Sequence, residues 1–239
     1  MAGETLPSPD PLDPAHIELA SRGGVHVDIT PTDGLHTFVV TVVAPDTPGL
    51  LSDAAGVLAL HSLRVLSASL GSHDGSAINS FDVAPLFGAP PQAGLIRQEI
   101  IRAQAGELDL VAVLDAKERD ARVETSDEDG EDSAVPVLYA QAPPRVLWFD
   151  DNEPGQVVLE LRAEDRLGLL CRLASAIEQQ GFDIRWARVS TLGSSVVDSF
   201  CIDLAGADSR AVREDLERAL LAVVPSPEPP KPPEKPEGT

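Results

Sequence analysis

Two short stretches carry residue types that can hold a small charged molecule. They are Asp46-Thr-Pro48-Gly49-Leu50-Leu51 and Asp165-Arg-Leu167-Gly168-Leu169-Leu170. Each ends an apolar run and opens a segment whose apolar residues recur at helical spacing. A helix N-terminus leaves about four backbone N–H groups without intrahelical partners and carries partial positive charge. A carboxylate suits that end. Gly49 and Gly168 have no Cβ to hold a ligand away from the backbone. Asp46 and Asp165 add a negative group for an ammonium. An amino acid offers both charges together. The plainer reading uses the same residues: Asp ahead of a helix is a common N-cap, worth about 0.5–2 kcal/mol, and Gly before a helix serves a turn. Asn79 and Asp198, on later strand patterns, either orient a hairpin or reach the same ligand.

The two stretches are copies. Sliding the chain against itself by 119 positions lays Phe38–Ala84 over Val157–Asp203 without a gap. Asp46 then falls on Asp165, Gly49 on Gly168, Ala68 on Ala187, Asn79 on Asp198 and Phe81 on Phe200. A repeat found this way fixes the unit before any fold is named. Two copies are too few for a solenoid, so two related domains in tandem are expected.

The elements that must position these residues follow from pattern. Val25, Val27 and Ile29 alternate with polar residues as a short strand does. Pro31–Gly34 is turn chemistry. Phe38–Ala44 is a nearly continuous β-branched run, suited to a buried strand. Leu50–Leu58 predicts a helix, Arg64–Leu70 a strand, Gly71–Gly75 a hairpin turn and Ala77–Phe87 the return strand. Leu95–Ala103 is a second helix. Leu108–Arg122 reads as a helix, with a strand at Val111–Val113 left open. Arg145–Phe149 opens the second copy, followed by a strand at 157–163 and a helix from Leu169 to Gly181. A hairpin of Asp183–Thr191 with Ser195–Leu204 and a helix over 211–223 complete it. The same offset lays Val27 over Val146, so each copy starts with a short strand. The expectation is that these strands are exchanged: 145–149 completes the first unit's sheet and 25–30 the second's.

Composition narrows the class. The chain has 239 residues and a formal net charge of -21. Such a chain repels phosphate backbones, which argues against nucleic acid as a partner. Six carboxylates within Glu124–Asp132 read as a solvated linker, over 123–143, and lack the spacing of a calcium loop. Residues 1–24 are expected to be a flexible N-terminus with one short helical turn near His16–Ala20. Residues 225–239 hold seven prolines and read as an extended tail. No apolar run reaches the roughly 18 residues of a membrane helix, and the N-terminus lacks the form of a secretory leader. A cytoplasmic location is expected. Cys171 and Cys201, in no paired motif, read as buried thiols. Trp148 and Trp186 read as core or interface residues. His73-Asp74 has no further histidines at metal-site spacing. No nucleophile elbow, zinc motif or phosphate-binding glycine loop is present, so neither enzyme chemistry nor a cofactor is expected.

The order strand-helix-strand-strand-helix-strand, with Asp-x-Pro-Gly-Leu-Leu at the first turn, resembles the ACT domain, a ferredoxin-like module that binds amino acids. Asp165-Arg-x-Gly168-Leu-Leu170, Thr191-x-Gly193, Val197-Asp198-x-Phe200 and Asp203 resemble the C-terminal ACT repeats of the bifunctional uridylyltransferases that modify the PII nitrogen-signalling protein. Ala44–Leu60 resembles the first such repeat of the actinobacterial form. The resemblance implies an α+β fold of two ferredoxin-like (βαββαβ) domains, at about 25–122 and 144–224. Their antiparallel sheets would carry helices on one face and pair into a continuous sheet. It also implies an amino-acid ligand, glutamine by the nitrogen link, where each turn meets the second strand of the neighbouring unit, at 65–69 and 184–188. The ligand set is then Asp46, Pro48, Gly49, Leu50 and Asn79 in one copy, and Asp165, Leu167, Gly168, Leu169 and Asp198 in the other. Two departures mean that the two sites need not be equivalent: Leu167 stands where the motif usually has Pro, and Asn79 where the other copy has Asp198. Only about 24 residues precede the first strand, so the catalytic domains of that family do not fit ahead of it. Met1 and the proline-rich tail point to a free-standing regulatory chain. A protein partner in nitrogen signalling and a homodimer through the ACT units are compatible with this reading. The alternatives are a ligand-free interaction module, or the detached regulatory region of a uridylyltransferase.

Overall fold

The β-branched run becomes strand β2 (Phe38–Pro45), held between two neighbours at the centre of a sheet, with Val40, Val42 and Val43 fully buried. The computed structural model describes residues 13–34, 36–87, 89–128, 143–150, 155–192, 195–204 and 206–224, with backbone alone at 121–128 and 192. Ahead of β2 lie α1 (Pro14–Arg22) and β1 (His26–Pro31). After it come α2 (Leu50–Leu60), β3 (Leu63–His73), β4 (Ser76–Pro85), α3 (Ala93–Gln104) and α4 (Leu110–Glu128). The second unit runs β5 (Arg145–Asp150), β6 (Gln156–Glu164), α5 (Leu169–Gln179), β7 (Asp183–Leu192), β8 (Ser195–Asp203) and α6 (Arg210–Ala222).

Each unit is a four-stranded antiparallel sheet, in the orders β1-β2-β4-β3 and β5-β6-β8-β7. The repeat survives at the level of register. Val42 pairs with Asn79 as Leu161 pairs with Asp198. The register shift between Val65 and Ser67 recurs between Ile184 and Trp186. A bulge adds one residue to one strand and re-aims the side chains beside it; in the second copy the added residue is Arg185.

The exchanged-strand expectation is overturned. β1 pairs with β2 and β5 with β6, each inside its own unit. The reason is loop entropy: β1 and β2 are joined by one short turn, closed by Thr32 N–H donating to Thr37 O at 3.0 Å. A hairpin this local forms at far smaller closure cost than a pairing across more than a hundred residues. The chain order within each sheet is therefore strand-strand-helix-strand-strand-helix. The ferredoxin-like sheet is kept, but the strand ahead of the βαββα run fills its outer position.

The units pack side by side. Edge strands β3 and β7 lie next to one another, and α2 lies along α5. The two ladders abut without merging into one hydrogen-bonded sheet, which replaces the continuous sheet expected. One apolar core spans both units and contains Phe81, Leu58, Leu114, Leu173, Ile177 and Phe200. Gly56 lies where α2 meets α5 and α4 closely: a Cβ there would lie 2.9 Å from Cys171 Sγ and 2.9 Å from Leu110 Cδ1. α1 covers the other face of the first sheet, setting Leu19 and Ala20 against Val43 and Ile78. Sheet one thus carries helices on both faces. α1 is also a docked nine-residue helix, longer than the turn expected there, capped by the Asp13 side chain. Residues 108–122 resolve in favour of helix, and α4 continues through Glu128 into the start of the acidic run. The rest of that linker, residues 1–12, the 193–194 turn and the proline-rich tail lie outside the described residues. No helix among the described residues is long and apolar enough to cross a membrane.

Candidate functional site

At both turns the glycine, not the aspartate, is the N-cap. Gly49 has φ 90° and Gly168 φ 68°, and neither helix has a side-chain cap bond. This left-handed conformation is one glycine adopts without a steric penalty. It leaves Asp46 and Asp165 available for other partners, and the two turns then diverge.

The first turn is open. A cavity of about 1000 Å³ lies against it. Asp46, Pro48, Gly49, Leu50 and Asn79 all line it, so the structure brings the first copy's five expected residues together. The opposite bank is the start of β7, with Asp183, Ile184 and Arg185. The groove extends over the outer face of sheet one, past Ser67, Ser69, Thr41, Ser80 and Asp82 to His16 of α1. Thr41 Oγ1 and Ser80 Oγ are hydrogen-bonded at 3.0 Å, and Ser67 donates to Asp82. A Cβ on Gly49 would have nothing closer than 4.0 Å.

One expected anion position is already filled. Ser52 Oγ donates to Glu178 Oε2 at 2.7 Å, and the Gly49 and Ser52 backbone groups also favour the charged Glu178. The last turn of α5 therefore supplies a carboxylate to the first turn of α2. Burial nevertheless pushes the Glu178 carboxyl up to about 7, and that of its neighbour Asp53 up to about 6.

The second turn is closed. Arg64, at the start of β3, donates to Asp165 Oδ2 through Nη2 at 2.8 Å and Nε at 3.2 Å. A Cβ on Gly168 would meet Leu114 Cδ1 of α4 at 2.5 Å. Arg166 Nη2 reaches Glu118 at 2.5 Å. Arg172 Nη2 lies 2.7 Å from Asp115 Oδ1, close in distance but off-axis for a hydrogen bond. Asp198 is 1% exposed and its Oδ1 has no hydrogen-bond partner. Burial, with the nearby Asp165 charge second, pushes its carboxyl up to about 7. Leu169 is buried and Leu167 packs against the core. In the second copy Leu169 and Asp198 are buried, while Asp165, Leu167 and Gly168 are partly exposed and contact Arg64, the core and Leu114.

The offset explains the difference. The counterpart of Arg64 is Asp183. At the second turn Arg64 bridges Asp165; at the first, the positions that correspond by the offset are Asp183 and Asp46, two carboxylates that line the same cavity and cannot bridge. Asp183 instead pairs with Arg185 Nη1 at 3.2 Å, and Arg185 Nη2 donates to Asp203 at 2.5 Å. Sequence reasoning missed Arg64, Asp183, Glu178 and Leu114. The Arg64/Asp183 contrast was readable from the repeat, whereas nothing in the pattern places α4 over the second turn.

Other candidates take structural places. Cys171 is buried at the α2–α5 crossing, and burial pushes its thiol up to about 12, far from nucleophilic use. Trp148 packs against the core, with the Arg213 guanidinium 5.6 Å from its ring centroid. Among the described residues no group of three or more His, Cys, Asp or Glu is placed to hold a metal.

No family model matches the chain. It is 47% identical over 226 residues to the bifunctional uridylyltransferase/uridylyl-removing enzyme of Mycobacterium tuberculosis, covering 94% of this chain and 28% of that enzyme. It is 36% identical over 194 residues to the enzyme of the same name from Streptomyces coelicolor, covering 75% of this chain and 22% of that one. The chain thus spans about a quarter of the length of these relatives. A solved protein from Galdieria sulphuraria, 14% identical, matches over 77% of this chain and 91% of its own, with a TM-score of 0.23.

Proposed function

We propose that this tandem of ferredoxin-like, ACT-like units is a non-catalytic regulatory region of the kind carried by bifunctional uridylyltransferase/uridylyl-removing enzymes, working in the cytoplasm. Its ligand is a small amino acid bound in the groove between the Asp46–Leu51 turn and the start of β7. Glutamine is the first candidate, from the nitrogen-signalling role of the family resembled.

The observation that carries this reading is the charge at the first turn. Asp46 and Asp183 line one cavity, where the second turn has an Asp165–Arg64 bridge. Arg185 holds Asp183, and an α-ammonium supplies to Asp46 the cation that Arg64 supplies to Asp165 at the other turn. The ligand carboxylate then competes with Glu178 for the N-terminal end of α2. Binding in this way loosens α5 from α2, so the ligand favours one packing of the units over another. That differential affinity is what a population shift requires.

The test is a thermal-shift screen of the twenty amino acids on the chain and on its Asp46→Ala and Gly49→Val variants. A ligand selective for the folded state adds about 2.7 kcal/mol at a hundredfold excess over Kd. Glutamine is expected to raise the Tm of the parent chain and of neither variant. No shift with any amino acid at millimolar concentration overturns the reading.

A second reading has one observation in its favour. Glu178 already fills the anion position at α2. If that contact is permanent, the tandem is a ligand-free interaction module. The same screen separates the two.

A further inference from the structure

We infer that α4 serves as a built-in occupant of the second turn, so that the chain offers one amino-acid site and not two. The inference rests on the reading above for the nature of the ligand; the closure itself does not depend on it.

Three observations converge. First, the space beside Gly168 is filled by Leu114, which is 0% exposed. At Gly49 the same space is open. The glycine that would let a ligand approach the backbone instead admits a leucine of the same chain. Second, the charges are answered internally. Arg64 holds Asp165 at 2.8 Å. Asp115 and Glu118 of α4 lie against Arg166 and Arg172, which flank the glycine. Third, α4 is fastened at both sides of the site. Leu110 packs against Gly56. Lys117 Nζ donates to Leu60 O at 2.7 Å and to Ser62 Oγ at 2.8 Å, tying α4 to the end of α2.

These contacts meet one requirement of a bound amino acid and block the other. A cation already sits on the aspartate, and the Leu114 side chain takes the space over the glycine through which a carboxylate would reach the backbone N–H groups. Leu114 is fully buried, and a ligand at this turn has to displace it and return its apolar surface to water. No element with α4's role follows α6 in the second unit among the described residues, and the first turn stays open.

Hydrogen–deuterium exchange on the full chain tests the closure without a ligand. The 166–173 segment is compared between the parent, Leu114→Ser, and an Asp115→Asn/Glu118→Gln variant that removes no buried apolar surface. Both variants are expected to speed exchange in 166–173 at least tenfold while leaving β2 and β6 protected. Unchanged exchange in both folded variants overturns the inference. Equilibrium dialysis with labelled glutamine then counts sites: one per chain in the parent, lost in Asp46→Ala and kept in Asp165→Ala. Two per chain, or loss in Asp165→Ala alone, overturns it. Faster exchange in the variants with no glutamine bound by any protein upholds the closure and removes the amino-acid reading.

Discussion

Glu178, on the last turn of α5, accepts a 2.7 Å hydrogen bond from Ser52, on the first turn of α2. The two residues lie 126 positions apart and belong to different units. The end of one unit's helix therefore closes the start of the other's. Replacing the carboxylate by an amide keeps the shape and removes the charge. Glu178→Gln is expected to tighten amino-acid binding about three- to tenfold, because the ligand carboxylate no longer competes with an anion. The Tm is expected to change little at pH 5.5, where the folded chain keeps Glu178 protonated, and to rise at pH 7.5, where charging the buried carboxyl costs free energy. Isothermal titration with glutamine reads the first effect and a thermal melt the second. Weaker binding in the variant would show that Glu178 helps the ligand and does not compete with it.

The pH dependence has a definite sign. Burial raises Glu178 to about 7, Asp53 to about 6 and Asp198 to about 7. A carboxyl raised in the folded state binds its proton more tightly there than in the unfolded chain. Its contribution is full below the unfolded value, near 4, and is lost as pH rises through the folded value. Stability from these groups thus falls between about pH 4.5 and 7. For Glu178 alone the change is on the order of 3 kcal/mol. Urea midpoints are expected to rise from pH 7.5 to 5.5, and the slope to shrink in Asp198→Asn and in Glu178→Gln. A flat or inverted profile would mean that these carboxyls reach solvent.

Much of the fold was readable because the repeat is written in residue types. The β-branched run at Phe38–Val43 and its copy at Val157–Arg162 form the inner strands they are suited to, and the Pro31–Gly34 stretch ends β1 and turns the chain. That turn also held the answer to strand pairing: a hairpin between β1 and β2 was the nearest solution, and matching the copies obscured it. The candidate site was half readable. Asp46, Gly49 and Asn79 do meet in one groove. Its other bank, and the closure of its twin, depend on how β3 meets β7 and where α4 comes to rest. Those are contacts between elements far apart in sequence, and no periodicity reports them.

Arg64 is the cation that keeps Asp165 company beside the buried Asp198. Removing one partner of a part-buried pair leaves the other uncompensated, which costs more than the pair was worth. Arg64→Ala is expected to destabilise the chain by about 1–3 kcal/mol in urea unfolding, with Arg64→Lys recovering part of the loss. The alanine variant also leaves two neighbouring carboxylates with no cation between them. Its stability is therefore expected to fall more steeply between pH 6 and 8 than the parent's. Equal slopes would place Asp198 beyond the reach of Asp165.

Gly56 sets the distance between the units. A methyl at this position meets Cys171 Sγ and Leu110 Cδ1, both at 2.9 Å, and Leu110 Cβ at 3.1 Å. One contact is on α5 and two are on α4, so a side chain here pushes on both helices at once. Overpacking of this kind costs about 1–3 kcal/mol. Gly56→Ala is expected near the low end, because alanine returns up to about 1 kcal/mol of helix propensity. Gly56→Val is expected near or beyond the high end. The informative comparison is Gly49→Ala, where a Cβ has open space and the loss comes from a φ of 90°. Both variants lower the Tm, by different routes. Only Gly56→Val is expected to raise Cys171 reactivity toward a thiol reagent, because it parts α2 from α5. If Gly49→Ala exposes the thiol equally, the first turn, and not the helix crossing, is what holds the units together.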